Sequence, residues 1–330
     1  MSTATKSPTL LDRFLSGDRV ALARIISHVE NRAEGYNNVL SRIFAHRHGA
    51  YRVGLTGPPG AGKSSLVNQL ALKLAADGHK VGIIAVDPSS PFTGGALLGD
   101  RVRMQSLYGV ENVFIRSMAT RGSSGGLAAA TKDVCVVMEG FGFDIILVET
   151  VGVGQVELDV AAVCDTVTVV FVPESGDAIQ AMKSGLMEIA DVFCLNKSDR
   201  PGAERVRAEI ESILEVRQEV RRSLKTFSGW HPPVTTTIAT SGQGIPALWE
   251  LIEKHRAYRE SSDPAGHRRL RVRSDLVLAL LELSRRRLDD ELLRSAAMEN
   301  AVEQIVSQKA DPYTMAQHLF SQWRNGGAVT

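Results

Sequence analysis

Eight consecutive residues near the start of the chain have the types and spacing needed to hold a phosphate chain. They read Gly-Pro-Pro-Gly-Ala-Gly-Lys-Ser and match the pattern G-x-x-x-x-G-K-[S/T] at every fixed position. Glycine-rich loops turn backbone N–H groups toward phosphate oxygens, and the helix that follows adds the positive potential of its N-terminus. The predicted phosphate-binding residues are Gly57, Pro58, Pro59, Gly60, Ala61, Gly62, Lys63, Ser64 and Ser65.

Three side chains of this loop are predicted to have separate roles. Lys63 reaches the β and γ phosphates and acts in catalysis, the Ser64 hydroxyl binds Mg²⁺, and Ser65 donates to the α phosphate. The alternative is a glycine-rich turn that matches by accident. The flanking segments argue against that alternative, because an apolar strand is predicted at 52–56 and a helix at 64–76.

A second motif, Asn-Lys-Ser-Asp, follows a predicted strand at 192–195 and points to recognition of guanine. The Asp199 carboxylate can accept from guanine N1–H and from the 2-amino group, whereas adenine offers neither donor. Lys197 is expected to lie along the base, and Asn196 is expected to connect this loop to the phosphate loop. An ordinary surface turn with the same four residues is the alternative.

Carboxylates at the ends of predicted strands are candidates for a magnesium site. Glu149 ends the strand predicted at 145–149, Asp87 follows the strand predicted at 81–86, and Asp100 comes soon after. Carboxyl ends of parallel strands face the ligand crevice, and Mg²⁺ keeps several waters beside a few carboxylates. Together with Ser64 these residues are the predicted magnesium ligands or hold its waters. Capping or an ordinary turn is the alternative for each carboxylate.

The residue that positions the attacking water is not evident from the motifs. Val153 stands where many small GTPases carry a water-orienting glutamine, and Gln155 is the candidate substitute, assigned a catalytic role. We therefore expect slow intrinsic hydrolysis.

The elements around these motifs predict an α/β fold, a P-loop NTPase with a doubly wound, mostly parallel sheet. Short apolar, β-branched runs alternate with helical segments such as 203–220, as in sheets covered on both faces. Helical segments precede and follow this core. The predicted domains are a helical N-terminal arm (1–47), a GTPase domain (48–260) and a helical C-terminal arm (261–330), with a linker after Tyr258. The remaining predicted strands are 113–115, 166–172 and 234–238.

Composition excludes some classes of function. The 330 residues carry 38 Lys and Arg against 37 Asp and Glu, a net charge of +1, so no global basic field attracts nucleic acid. Three scattered cysteines indicate reduced core thiols. No apolar run approaches the ~20 residues of a membrane span, and the N-terminus has no apolar signal core. We expect a cytoplasmic protein that binds neither nucleic acid nor membrane.

The strings GLTGPPGAGKSSLVNQL, AVDPSSPFTGGALLGDRVRM, DIILVETVGVGQVE and PESGDAIQAMKSGLMEIADVFCLNKSD closely resemble the MeaB/ArgK family of P-loop GTPases. The resemblance covers nearly the whole chain. It implies GTP/GDP and magnesium as cofactors, and GTP hydrolysis coupled to chaperoning an adenosylcobalamin-dependent acyl-CoA mutase, typically methylmalonyl-CoA mutase. It also implies a homodimer held largely by the C-terminal helices.

The resemblance extends to the last base-binding loop, where the family pattern is like S-A-x-x-G-x-G. Here Ile238, Ala239 and Thr240 begin the loop, and Ile238 replaces the serine, which removes its side-chain contact. The Ala239 backbone N–H is expected to meet guanine O6. Segment 175–185 matches a loop through which the family is thought to signal to the mutase.

Two other activities stay open. A metal-insertion GTPase usually carries His- or Cys-rich stretches, which this N-terminus lacks. An ATP-using kinase linked to amino-acid transport is an older label for the family, and the Asn-Lys-Ser-Asp motif argues against ATP. A structural dimer with a relic nucleotide site is hard to reconcile with intact Lys63, Ser64 and Asp199.

Overall fold

A computed structural model describes residues 8–87, 104–119, 126–150, 156–174, 185–223 and 229–324. The chain divides into two compact units, Met1–Arg271 and Val272–Thr330. Within the described residues no helix is both long enough and apolar enough to cross a bilayer.

Seven strands and the helices between them form the first unit. The strands are β1 Tyr51–Thr56, β2 Val81–Asp87, β3 Val113–Ala119, β4 Ile145–Glu149, β5 Thr166–Phe171, β6 Val192–Asn196 and β7 Val234–Thr237. The helices are α1 Leu10–Leu15, α2 Arg19–Glu30, α3 Tyr36–Phe44, α4 Lys63–Ala76, α5 Gly126–Phe141, α6 Val156–Val163, α7 Leu186–Ile189, α8 Ala203–Ser223 and α9 Ile245–Ser262. A 3₁₀ turn spans Gln105–Leu107.

The seven strands make one sheet in the order β3-β2-β4-β1-β5-β6-β7, and every pairing is parallel. After β1 the chain builds β2, β3 and β4 on one side and then β5, β6 and β7 on the other. Strand β1 therefore lies where the strand order reverses, which is the ligand-binding position of doubly wound sheets. The α/β fold class predicted from the sequence is confirmed.

Both faces of the sheet are covered by helices, which explains the apolar runs. On one face Val53, Leu55 and Leu147 belong to a core that includes Leu66 of α4 and Trp249 of α9. On the other face α5 and α6 pack, and α6 also packs against β1. Strands buried on both sides need apolar residues at successive positions rather than alternating ones.

Three differences separate the predicted elements from the observed ones. Strand β3 runs to Ala119 because it pairs with the whole length of β2, although its outer half contains Arg116 and Ser117. The N-terminal helical region is three helices, and Asp18 caps the second of them by accepting from the Val20 and Ala21 amides. The linker predicted after Tyr258 is wrong.

Helix replaces that linker almost entirely. Helix α9 continues to Ser262, and helix α10 (Pro264–Leu288) begins after the single residue Asp263. The Asp263 carboxylate accepts from the Gly266 amide at 2.8 Å, and proline suits the first position of a helix because its missing N–H would have no helical partner there. The polar composition of the segment therefore marks a change of helix.

The N-terminal helices pack on α5 within the first unit. Phe14 of α1 packs against Phe141 with the two rings tilted and their centroids 5.3 Å apart, and Arg32 forms an ion pair with Asp133 of α5. The first unit thus includes the segment predicted as a separate arm, and the three-domain division stays a prediction.

A network of charged side chains lies at the amino edge of the sheet, meaning the end at which its parallel strands begin. Arg52 is fully buried, and its Nε and Nη2 lie 2.9 and 2.7 Å from Glu139 Oε1. The same carboxylate oxygen accepts from Arg271 Nη2 at 2.7 Å, and Arg271 Nη1 lies 3.1 Å from both oxygens of Asp165. Asp165 Oδ2 accepts from the Arg52 amide at 3.0 Å, which closes the network.

A second polar group at this edge contains the buried His255. Thr166 Oγ1 lies 2.8 Å from His255 Nδ1 and also hydrogen-bonds the Tyr51 hydroxyl. Burial lowers the pKa of His255 to about 3, so the ring is neutral at physiological pH. Its contact with Asp191 Oδ1 at 3.3 Å is therefore not an ion pair.

The second unit has a small core of its own. After α10 come a π-helical turn at Asp289–Leu293 and the helices α11 (Ala296–Val306) and α12 (Pro312–Arg324). Leu292, Ala301 and Leu319 are buried together, and five partly buried side chains pack against them. Those five are Leu288, Ala297, Met298, Met315 and Trp323.

The buried network predicts a large loss of stability when its shared carboxylate is removed. We expect Glu139→Ala to lower the free energy of unfolding by about 3–5 kcal/mol, because Arg52 would stay buried without this counter-charge. The matched control is Glu209→Ala, which breaks an exposed pair with Arg205 and should cost less than about 1 kcal/mol. Urea unfolding of the full chain measures both, and equal losses would contradict the role given to Glu139.

Candidate nucleotide site

The loop between β1 and α4 has the backbone conformation of a phosphate cradle. Gly57 has φ +137°, and a Cβ there would lie 2.2 Å from the Val170 carbonyl oxygen of β5. Gly62 has φ +86°, and a Cβ there would lie 2.4 Å from Asn196 Nδ2. Both positions therefore require glycine, for the positive φ and for the close approach of neighbouring atoms.

The Lys63 ammonium lies over this loop. Its Nζ donates to the Gly57 carbonyl at 2.7 Å and to the Pro58 carbonyl at 2.9 Å, and the side chain is buried. These contacts hold the positive charge at the mouth of the loop, beside backbone amides at the start of α4. A phosphate chain entering the loop would exchange carbonyl contacts of Lys63 for stronger charge-assisted bonds.

The Asn196 side chain connects the two loops that the sequence predicts to bind phosphate and base. Its Nδ2 donates to the Ala61 carbonyl of the phosphate loop at 2.8 Å, which is the predicted connection. Its Oδ1 accepts from Thr237 Oγ1 and from the Ala239 amide, both at 3.1 Å. Asn196 is buried, and all of these contacts lie at the carboxyl ends of β1, β6 and β7.

The loop after β7 is closed by its own backbone. The Ile238 amide donates to the Gln243 carbonyl at 3.0 Å, and these two residues form an isolated antiparallel bridge. Thr240 is exposed at the turn. The predicted contact of the Ala239 amide with guanine O6 stays a prediction, and it would have to share or replace the existing bond to Asn196.

The Asp199 side chain is available to a ligand. It is exposed and makes no hydrogen bond or ion pair with any part of the chain that the structure describes. Lys197, two residues earlier, has φ +57°, an uncommon backbone conformation for a residue other than glycine. The Ser198 amide donates to the Thr237 carbonyl at 3.1 Å, so the loop that carries Asp199 is held against β7.

Oxygen donors suited to Mg²⁺ meet beside the phosphate loop. Ser64 Oγ donates to Glu149 Oε1 at 2.6 Å, and both side chains are buried. A hydroxyl and a carboxylate are ligands of the hard type that Mg²⁺ takes, and the ion would replace the proton between them. The residues at this position therefore fit a magnesium ion.

The other predicted ligands are not settled by the structure. Asp87 is the last residue of β2, paired with Ala119 of β3, and its side chain lies outside the described part of the chain. Asp100, Val153 and Gln155 also lie outside it, as does segment 175–184. Their roles stay predictions.

Two supporting contacts were not predicted from the sequence. Thr237 orients Asn196 by donating to its side-chain oxygen. The two residues lie opposite each other in the β6–β7 register, which becomes visible only once the strands are paired. Glu174, three residues after β5, forms an ion pair with Arg200 and lies 4.0 Å from Lys197 Nζ. These ion pairs connect the base-binding loop to the start of segment 175–184.

The fold and this arrangement define a class of protein. A phosphate loop at the reversal point of a parallel sheet, a hydroxyl–carboxylate pair beside it and an Asn-Lys-x-Asp loop after β6 are the parts of a P-loop GTPase. A family model described as methylmalonyl Co-A mutase-associated GTPase MeaB matches residues 22–297. The chain belongs to this family, as its motifs indicated.

Individual relatives agree with this assignment. A putative GTPase of Pyrococcus abyssi is 44% identical over 96% of this chain and 97% of its own length. The methylmalonic aciduria type A homolog of mouse mitochondria is 38% identical over 73% of this chain and 60% of its own length. A solved structure titled LAO/AO transport system kinase superposes with a TM-score of 0.71 at 25% identity, covering 98% of this chain and all of the other.

Proposed function

We propose that this GTPase is a chaperone that gates cofactor loading and protects an adenosylcobalamin-dependent acyl-CoA mutase, with methylmalonyl-CoA mutase as the partner. The observation that carries the proposal is the match of residues 22–297 to a family described as associated with that mutase. The name of the mouse relative, which refers to methylmalonic aciduria, supports the same metabolic setting. We further propose that the protein acts in the cytoplasm and binds neither nucleic acid nor membrane.

In this proposal the nucleotide is GTP or GDP with magnesium. The loop amides after β1 bind the phosphates, Lys63 bonds the β and γ phosphates, and Asp199 pairs with the guanine edge. Ser64 and Glu149 hold the metal, which when bound neutralises charge that develops on the transferred phosphoryl group. Asp87 and Asp100 complete the metal surroundings, and Gln155 positions water in our proposal.

The site has a physical route from the base to a partner. Glu174 bonds Arg200, one residue after Asp199, and segment 175–184 follows Glu174 directly. A change in the position of the base-binding loop would therefore be transmitted to Glu174, the residue before that segment. We propose that the mutase reads nucleotide state through it and stimulates hydrolysis in return.

A kinase acting with ATP is the second candidate, because the structural relative with a TM-score of 0.71 is titled a transport system kinase. The exposed Asp199 carboxylate favours guanine, since adenine would leave it without a donor. ATP is therefore the nucleotide to compare with GTP.

The proposal predicts that the mutase accelerates hydrolysis. Steady-state phosphate release from GTP by the full chain should be slow alone and several-fold faster with methylmalonyl-CoA mutase, because a partner that orders the loops adds preorganisation. ATP should show no such stimulation. The control is Lys63→Ala, which should release little phosphate in either condition, because the phosphate-binding cation is lost.

Two results would contradict the chaperone proposal. One is a rate with GTP that is unchanged by methylmalonyl-CoA mutase and by other cobalamin-dependent acyl-CoA mutases. The other is mutase stimulation that is equal for ATP and GTP, which would show that the site does not select guanine.

We also propose a homodimer held by the C-terminal helices, in agreement with the resemblance. The part of α10 that lies in the second unit exposes six large apolar side chains, which are Val272, Leu276, Val277, Leu280, Leu281 and Leu283. A contiguous apolar stripe of this kind on a single helix is unusual for a free surface, which supports the proposed contact with another chain. A two-fold pairing would cover the same stripe on both copies.

The stripe predicts how a single charge changes the assembly. We expect Leu276→Glu to convert dimers into monomers, because a carboxylate would be buried in the apolar contact. Val216→Glu on α8 is the matched control, since Val216 is 59% exposed and Leu276 is 58% exposed. Light scattering gives the mass of each variant. A wild-type monomer, or a Leu276→Glu dimer as stable as the control, would place the contact elsewhere or exclude it.

A further inference from the structure

A pocket at the amino edge of the sheet carries an excess of positive charge. It has a volume of about 230 Å³ and lies in the first unit, between the start of β1, the end of α9 and the first turns of α10. Two carboxylates, Asp165 and Glu260, share the lining with basic side chains. The basic residues are Arg256, Arg259, His267, Arg268 and Arg271.

Two of the four arginines are held in place by Asp165. Arg259 Nη1 donates to the Asp165 carbonyl at 2.7 Å, and Arg271 Nη1 lies 3.1 Å from both carboxylate oxygens. Arg271 also bonds Glu139, whose charge is shared with the buried Arg52. These contacts fix the two guanidinium planes before any ligand arrives, which lowers the entropy cost of binding.

The other two arginines have more donors to offer. Arg256 stacks on the Tyr51 ring, with its central carbon 4.9 Å from the ring centroid, and uses its Nε for Glu260 at 3.0 Å. Arg268 is exposed and makes no hydrogen bond or ion pair with any residue in the described ranges. Four guanidinium groups thus face two carboxylates, which leaves two positive charges in excess even with His267 neutral.

This chemistry selects a compact, highly charged anion. Guanidinium forks match phosphate oxygens in pairs, and Arg is preferred over Lys where planar recognition of phosphate is needed. The volume is below the ~300–1,000 Å³ of pockets that enclose a drug-sized ligand, so a phosphate group fits and a whole nucleotide does not. Strand β1 separates the pocket from the phosphate loop by its six residues, about 20 Å.

We propose that this pocket binds a diphosphate group, at a site separate from the nucleotide site. The ligand is either free pyrophosphate or the diphosphate of a larger cofactor whose remainder lies in solvent. It bridges α9 and α10, because Arg256 and Arg259 belong to the first helix and Arg268 and Arg271 to the second. The inference does not depend on the proposed mutase partner.

Calorimetry on the full chain tests the proposal, with the nucleotide site saturated by GDP throughout. Pyrophosphate should bind the wild type, and Arg268→Ala should weaken that binding about tenfold or more, because a charge-assisted contact is lost. Arg205→Ala is the matched control, an exposed arginine on α8 with an 84% accessible side chain, and should bind as the wild type does. Unchanged GDP affinity in Arg268→Ala shows that this variant is folded.

Titrations with other ligands distinguish free pyrophosphate from a diphosphate-carrying cofactor and show which results would overturn the proposal. Equal affinity for pyrophosphate and ADP-ribose supports the free anion, and tighter binding of ADP-ribose supports a diphosphate-carrying cofactor. No binding of pyrophosphate to the wild type would overturn the proposal. Equal binding by wild type, Arg268→Ala and Arg256→Ala would also overturn it, because the arginines of the pocket would then not hold the ligand. Succinate binding as tightly as pyrophosphate would overturn it too, because the pocket would then not select phosphate.

Discussion

The site depends on one buried amide. Asn196 holds the phosphate loop through Ala61 and the base loop through Thr237 and Ala239, with all three bonds between 2.8 and 3.1 Å. A buried amide group that satisfies donors and acceptors on three segments fixes their spacing, because leaving any of these groups unpaired in a dry interior is costly. The distance between phosphate and base recognition is therefore set before a nucleotide binds. The Gly62 backbone takes part, since a side chain there would displace Asn196.

The parallel sheet is what brings these segments together. The residues of the site run from Gly57 to Thr240, yet each closely follows a strand or opens a helix. Because parallel strands end at one edge, residues that follow different strands converge there. The opposite end of the strands carries the buried charges of Arg52, Glu139 and Asp165, which the partly buried Arg271 joins. The nucleotide site thus lies where the strands end, and the ion-pair network lies where they begin.

The strand positions and the phosphate loop could be predicted from the sequence, because each depends on residues that are neighbours in the chain. Six of the seven strands both begin and end within one residue of the predicted bounds, since burial on both faces leaves an unbroken apolar signal. Strand β3 was predicted too short, because its outer half contains polar residues that pairing with β2 nevertheless orders. The phosphate loop and the position of Asn196 followed from spacing alone.

The remaining features depend on contacts between distant residues. The polar segment after Tyr258 contains Ser, Asp, Pro and Gly and is typical of a loop, yet Asp263 caps a new helix there. Nothing local in Arg52 or Arg271 indicates that both bond Glu139, because those partners are brought together only by the fold. The same holds for Thr237 as the orienting partner of Asn196, and for the arginines of the amino-edge pocket.

We propose that the loop after β6 reads guanine through the Asp199 carboxylate. Calorimetry with GTP, ATP and XTP on wild type and Asp199→Asn tests it most directly, with Asp77→Asn as an exposed control. The wild type should prefer GTP over ATP by a factor on the order of 10⁴, because adenine offers no donor to the carboxylate. Asp199→Asn should shift the preference to XTP, whose 2-oxo group accepts from the amide. Equal affinities of the wild type for GTP and ATP, or an unchanged preference for GTP in Asp199→Asn, would contradict the account.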